Sequence, residues 1–586
     1  MTSQDRNQRL SEQKRCGCPI SRTHKRFLLK TLCFTQQYAS MYRCRMEVQY
    51  VEAIAAIREA VKGDPGFHTN EGLQDTLKTP KRVLELAVGV PSLCGGVLYK
   101  QMKQLPRFLD KYQQELVRID AGDDDNDAED EGVTELLDAM SAEDDHAGQT
   151  QAASEEPSSL CSSTDELTLE DSSGRVVLQG LSPAHFCTGI TLGIYGTLQL
   201  NGTLQVHKYA FASVRKLYVP RRLTPAIRLP PCYIAFVCCL NIDIPSFQGK
   251  DGETVDVEAA LRTRMQLELL VDFIEGNVSD PEALDKSRHI SRMVIGGNSI
   301  VPTEELKLRS KIMLDPSDQR RLNDKTNTGV KTSDMLMQEL DGILAQLGSS
   351  VEVELMPGDN DPSDAFQPQQ PLHPLLLPNA SRYSSLRLVS NPFEFSVLTS
   401  QQTAITDQGE KYSHTEAQDQ IQSGDALVFV TSGQNVNDVA RQTRFDSRLD
   451  VMSLMLASGC ACPTAPNTLF SYPFKDEDPF LFKQIPHCFV ACDQPSFETR
   501  YMSLAQLESE STSHGGSSTP ADGPFSAKDT TAEGSVGNFL GINEEEEDSE
   551  GVRLICVPSF SRTGTLVLVD VNSPNLETVK MEFLVE

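Results

Sequence analysis

The sequence predicts a multidomain α+β protein in which a small closed β-barrel precedes an α/β sandwich, with two acidic insertions looping out of the folded body. Three observations carry this expectation. Short apolar runs punctuated by glycine fill residues 76–228, the pattern of a small barrel. From Cys232 onward, strand-like apolar runs alternate with helical segments, the order of a layered α/β domain. Charge is concentrated as well: of a net −30, residues 119–174 hold 19 acids and no Lys or Arg, and residues 501–551 hold 11 acids against Lys528 alone. Without these stretches the body is close to neutral. Their Ser, Gly, Ala and Thr content marks them as disordered.

Taken in order, residues 1–30 carry eight Lys or Arg against two acids and read as a basic disordered arm. Residues 31–75 form a helical region, with Tyr38, Tyr42 and Met46 at i, i+4 and i+8 as its core-facing stripe. Five barrel strands are expected at Arg82–Val90, Leu93–Tyr99, Arg175–Gln179, Gly189–Leu200 and Leu204–Phe211. Asn201-Gly202 between the last two is a hairpin turn. Five short strands with glycine at the bends suit an OB-fold, and the first acidic insertion, about 119–165, is one of its loops. Such barrels bind single strands through aromatic platforms on a basic groove. Here aromatics are sparse, Trp is absent, and Lys208, Arg215, Lys216, Arg221 and Arg222 supply some positive charge. Arg221 to Pro231 reads as a linker.

In residues 229–586 the expected strands are Tyr233–Leu240, His289–Ile295, Val351–Met356, Leu386–Val389, Ala426–Thr431, His487–Ala491, Arg553–Val557 and Thr565–Val571. Helices are expected at Val257–Glu275, Thr332–Leu347 and Leu449–Ser458, and the second acidic insertion at about 502–550. In such domains ligands gather just beyond the carboxyl ends of strands.

Composition bounds the function further. No apolar stretch is long enough to span a bilayer, and no apolar signal core opens the chain, so a soluble intracellular protein is expected, with the sequons at Asn201, Asn277 and Asn379 unused. The 15 Cys are scattered without metal-pair spacing and read as reduced thiols. His487, Cys488 and Cys492 read as core packing. No Gly-x-Ser-x-Gly elbow or P-loop is present.

The strand ends resemble those of calcineurin-like metallophosphoesterases with the ligands replaced. Where such an enzyme carries Asp-x-His after its first strand, this chain has Cys239 and Asn241; where it carries Gly-Asp, this chain has Gly297 and Asn298. Gly-Asn-His-Asp becomes Gly358, Asp359, Asn360 and Asp361, a His-Gly becomes Ser432-Gly433, and Gly-His-x-His has no counterpart in Cys492-Asp493-Gln494-Pro495. Two divalent cations need carboxylates with several His or Asn ligands to make hydroxide and clamp phosphate. The resemblance therefore implies a catalytically inactive sandwich.

Longer segments make the family specific. They are Gln37–Tyr42, Cys94–Lys100, Pro357–Pro374 with Pro357, Gly358, Pro368, Gln369, Pro371, Leu372 and His373, Leu388–Pro392, Thr431–Val436, Cys462–Phe474 with Pro463 and Pro466, and Pro486–Phe497. On these the chain is similar to the B-subunits of replicative DNA polymerases, in their delta branch rather than alpha or epsilon. The resemblance implies a nuclear, non-enzymatic scaffold in DNA replication and repair, without cofactor or membrane contact. Its implied partners are the Cys-rich C-terminal metal module of the DNA polymerase delta catalytic subunit and the third polymerase delta subunit, with the sliding clamp reached indirectly and DNA only through the complex. Readings from other classes are an active metal-dependent phosphodiesterase or nuclease using Asp359 and Asp361, and a single-strand-binding OB protein.

Overall fold

The computed structural model describes residues 18–30, 32–33, 35–63, 79–105, 159–212, 215–221, 230–243, 257–302, 319–397, 425–514 and 550–585. Residues 1–17 of the basic arm, 222–229 of the linker, and 119–158 and 515–549 of the acidic insertions lie outside these.

Residues 18–30, expected in the arm, are part of the fold. Strand β1 (Ile20–Arg22) pairs antiparallel with β11 (Phe393–Val397). Arg22 reaches Glu354 (2.7 Å) and Arg26 reaches Glu394 (2.7 Å), while Phe27 is fully buried. The two arginines of this segment are thus matched to buried carboxylates, which composition could not show.

Helix α1 (Ala39–Lys62) follows. Its buried face is Met41, Cys44, Arg45, Gln49, Ala53, Ile54, Ile57 and Val61, not the expected stripe: Tyr38 is 44% exposed, and Tyr42 and Met46 are only partly covered. A fully buried arginine within the helix turns the packed face away from the aromatic positions.

Barrel strands are β2 (Pro91–Gln101), β3 (Glu166–Glu170), β4 (Arg175–Gln179), β5 (Thr191–Leu198) and β6 (Leu204–Ala210). They run β2–β3–β4–β6–β5 and close from β5 onto β2, with β4 and β6 parallel and the other neighbours antiparallel. Closure removes the open edges. The expected strand at Arg82–Val90 is instead a 3-10 turn, Val83–Glu85, because the Arg82–Glu85 ion pair (2.7 Å) curls the chain and Asp171 takes the Val83 N–H (2.8 Å). Its place is filled by β3, hidden at the end of the first acidic run. Helix α1 lies on β5 where Gly193 allows it: a Cβ there would sit 2.5 Å from the Ala53 carbonyl oxygen.

The sandwich begins with β7 (Tyr233–Val237), α2 (Val257–Glu275), α3 (Pro281–Arg288), β8 (Ile290–Gly296), α4 (Gln319–Ser350), β9 (Glu352–Met356) and β10 (Leu386–Leu388). After β11 come β12 (Ala426–Thr431), α5 (Gln434–Gln442), α6 (Arg448–Ala457), β13 (Cys488–Gln494), β14 (Glu498–Ser503), α7 (Leu504–Ser511) and β15 (Thr512–His514). The chain closes with β16 (Gly551–Pro558), α8 (Phe560–Thr563), β17 (Thr565–Asp570) and β18 (Thr578–Glu582). One sheet is ordered β10–β9–β8–β7–β17–β18, the other β1–β11–β12–β13–β16–β14. Their inner faces meet through Ile234, Phe236, Val294, Val428, Val490, Ile555 and Val567. Helices α2 and α4 cover the first sheet through Leu267, Leu270, Phe273, Leu340 and Leu344. On the second, α6 is buried from Leu449 to Ala457, in a core shared with the barrel. Strands covered on both faces are buried along their whole length, as β8 and β12 are, and the one charge inside β8, Arg292, is paired with Glu354 of β9. Residues 502–514, expected inside the second insertion, are folded: Met502, Leu504 and Leu507 are buried and β15 pairs with β6. Among the described residues no helix is long and apolar enough to cross a membrane.

Barrel, α1 and sandwich meet at Arg45. Its guanidinium is fully buried, paired with Asp478 (2.8 Å), and donates to the carbonyls of Gly189 (3.0 Å), Pro463 (2.7 Å) and Ala465 (3.2 Å). Removing one member of a buried pair leaves the other charge uncompensated. Arg45→Met, which keeps most of the volume, is expected to lose about 3–5 kcal/mol of stability in chemical denaturation. A midpoint and slope unchanged from the native chain would contradict this role.

Candidate functional site

The carboxyl ends of β7, β8, β9, β12 and β13 converge on one edge of the sandwich. Their turns interlock through the backbone: Cys239 N–H donates to the Gly297 carbonyl (2.9 Å) and Asn241 N–H to that of Asn298 (3.1 Å). Gly358 packs so closely that a Cβ there would lie 2.3 Å from the Asn298 nitrogen. Four residues other than glycine take positive φ here: Cys239 (53°), Asn241 (45°), Asn298 (53°) and Asp493 (51°). Each such residue costs on the order of 1–2 kcal/mol, and persists only where its surroundings hold it.

The side chains at these turns bond to one another. The Asn298 amide donates to Asp493 (3.3 Å) and contacts the Cys239 sulfur (3.7 Å), while its oxygen accepts the Asn360 N–H (3.1 Å). The Asn241 amide donates to the Ser561 hydroxyl (2.9 Å). Gln434, opening α5, donates to Asp359 (2.9 Å) and to Gln369 (3.0 Å). The Asn391 amide donates to Gln369 (2.8 Å), Gln434 (2.8 Å) and Ser432, and the Ser432 hydroxyl donates to Gln434. Cys239, Asn241, Asn298, Asp359, Asn360, Asp361 and Ser432 thus occupy one patch. Asp493, Gln434 and Asn391 join it; Asp493 stands in the fifth strand-end turn and the other two lie inside the family-specific segments, but nothing in the sequence marked their side chains as partners of the patch.

Electrostatics divides the carboxylates. Asp361 is buried with both oxygens turned inward, accepting N–H groups from Ser299 and Gly358 (2.8 Å each). Burial pushes its pKa up to about 6 against the pull of those backbone donors. Asp359 keeps a face to solvent; the groups packed around it raise its pKa first, and the nearby Asp493 charge adds to the rise. Burial also raises the Cys238 thiol well above its ordinary value, while at Cys239 the hydrogen bond it makes to Cys238 is the largest of the raising influences. Neither thiol is poised as a nucleophile or metal ligand. The donor set open to solvent is therefore two carboxylates among neutral amides, a poor fit to a pair of divalent cations. Among the described residues no three His, Cys, Asp or Glu side chains gather in a metal-holding group.

His487 lies at the other end of β13, accepting the Leu427 N–H (2.9 Å) and donating to the Val219 carbonyl (2.7 Å), its pKa lowered by burial to about 4. His373 caps the turn Pro374–Leu376 at the surface. Of the remaining segment residues, Pro357 and Gly358 form the β9 turn, Pro368, Gln369 and Pro371 carry the amide network's loop, and Leu372 is buried under α4. Pro463 lies in the loop that receives Arg45, and Pro466 follows Ala465 there.

Asp361 favours protonation in the fold, so its contribution to stability is present below its ordinary pKa near 3.8 and is lost as pH rises through about 6. The native chain is expected to lose up to roughly 3 kcal/mol relative to Asp361→Asn between pH 4 and pH 7. Denaturation across that range measures the difference; a pH-independent gap would contradict a protonated carboxyl.

Two family models match the chain. The DNA polymerase delta subunit OB-fold domain covers residues 37–209, and the B-subunit family of DNA polymerases alpha and epsilon covers 256–414 and 419–499. The first assigns the closed five-stranded barrel as an OB-fold. The chain is 28% identical to the DNA polymerase delta small subunit of Arabidopsis thaliana over 86% of this chain and 84% of the relative. It is 27% identical to that of Saccharomyces cerevisiae over 94% and 90%, and 26% identical to that of rice over 86% and 85%. With both halves matched and relatives aligned over most of their length, the chain resembles the DNA polymerase delta small subunits along most of its sequence, a likeness that supports an accessory component of a DNA polymerase.

Proposed function

We propose that the chain is a non-catalytic scaffold of a nuclear DNA polymerase delta assembly, with an OB-fold joined to a calcineurin-like sandwich that has lost phosphoesterase chemistry. It holds the Cys-rich C-terminal module of the catalytic subunit and a third subunit, serving replication and repair, with the clamp and DNA reached through its partners. The observation that carries this reading is the strand-end patch. Side chains that a hydrolase would turn toward metal and phosphate are here spent on one another, with Asp361 locked to backbone N–H groups. Strained turns held by internal amide bonds suit a rigid frame better than a site open to substrate.

The barrel supports the same reading over a single-strand binder. Its basic residues have structural partners: Lys208 donates to the Ala60 carbonyl (3.1 Å), Lys216 pairs with Glu52 (2.5 Å), and Arg221 donates to the Val571 carbonyl (2.7 Å). Acidic Glu166 and Glu170 lie on the outer face of β3 beside Arg175, which is paired to Glu170 (3.1 Å). Among the described residues these cations are already engaged, which does not favour a phosphate-neutralising groove there.

Co-expression with the catalytic subunit's Cys-rich region should give a one-to-one complex on a sizing column that survives high salt, as apolar contacts do. The purified chain should leave a chromogenic phosphodiester and labelled single-stranded DNA intact in manganese. Turnover abolished by Asp359→Ala, or nanomolar single-strand binding by a monomer that ignores the Cys-rich region, would overturn the proposal.

A further inference from the structure

Helices α2 and α4 bound a groove of about 480 Å3 on the outer face of the first sheet, with Leu267, Val271 and Ile343 at its base. Among the described residues its rim is acidic: Glu268, Asp272, Glu275 and Glu339 stand with one cation, Arg264. Arg264 is divided between Glu268 (3.7 Å) and Glu339 (3.3 Å), while Glu275 takes a hydrogen bond from the Asn277 amide (3.0 Å). Beside the groove, Leu261, Met265 and Leu269 follow each other at i, i+4 and i+8 along α2, with Met335 on α4, each 42–51% exposed. An apolar stripe at helical spacing edged by carboxylates is not what a fully solvated helix face needs. Apolar methionine and leucine positions beside a groove between two helices match the way a third helix is received.

We infer that this groove is the seat of a Lys- or Arg-bearing amphipathic helix supplied by another subunit of the assembly. The inference rests on the scaffold reading above and names the chemistry of one of its partners. The occupant lays its apolar edge on Leu261, Met265, Leu269 and Met335. Its cations meet Glu268, Asp272, Glu275 and Glu339. Charge complementarity sets the choice: four carboxylates against one shared guanidinium repel an acidic or neutral-polar helix and steer a basic one. The strand-end patch is not involved, so the two surfaces can be tested separately.

The test uses the full chain assembled with the polymerase delta catalytic subunit and the third subunit. A zero-length carbodiimide joins a carboxylate to a lysine amine, so Glu268, Asp272, Glu275 or Glu339 should be found linked to lysines spaced three or four apart in another subunit. Met265→Asp with Leu269→Asp changes two half-exposed side chains and should leave the melting temperature of the isolated chain in place. It should weaken retention of the cross-linked subunit at least tenfold, and Glu268→Lys with Asp272→Lys should weaken it and flatten its salt dependence. Links confined to lysines of this chain, or retention within twofold of the native assembly for both variants, overturn the inference while the assembly itself stands. Failure of the native chain to assemble at all removes the scaffold reading and this inference together.

Discussion

The buried guanidinium of Arg45 is the joint on which the arrangement of the chain depends. A charge inside a protein is tolerated only when its donors are met, and the acceptors come from separate parts of the chain: Asp478, Gly189 of the barrel, and the 463–465 loop. None of these lies near Arg45 in sequence, so the ion pair forms only when α1, the barrel and the sandwich are already in place. Lys100 repeats the device close by, its backbone N–H bonded to Thr188 beside Gly189. Its buried ammonium is capped by the carbonyls of Pro183 and Gln442, the latter at the end of α5. Two internal cations, each satisfied across the boundary between units, make the barrel a fixed part of the sandwich rather than a tethered neighbour.

That rigidity gives the strand-end patch its meaning. Positive φ at Cys239, Asn241, Asn298 and Asp493 is costly backbone. The amides of Asn298, Asn391 and Gln434 hold the turns with the donors and acceptors that a ligand would otherwise require. A frame built this way holds its surfaces at fixed positions, the property on which the scaffold proposal rests.

Much of this was legible in sequence, for identifiable reasons. Helical spacing located α2 at Val257–Glu275 and a continuous apolar run located β12 at Ala426–Thr431 as the fold has them, since both elements are covered by apolar neighbours that force the pattern. Asn201-Gly202 closes the β5–β6 hairpin because Gly202 takes φ 82°. Strand β3 was not legible, because its alternating Leu167 and Leu169 sit among acids that read as disorder. Nor were Arg22 and Arg26, whose partners Glu354 and Glu394 are more than three hundred residues away.

The amino-acid order by itself fixed which residue types stand at the strand ends, and hence that histidine is missing from those turns and neutral amides take its place. Only the tertiary structure decided what those residues do: that Asp361 faces inward to Ser299 and Gly358, that Asp359 and Asp493 remain near the surface of the patch, and that Gln434 and Asn391 complete it. The division has a physical cause. Residue identity is local, whereas burial and hydrogen-bond partnership are set by segments that meet only when two sheets stack, and those contacts determine whether a carboxylate is a ligand or a strut.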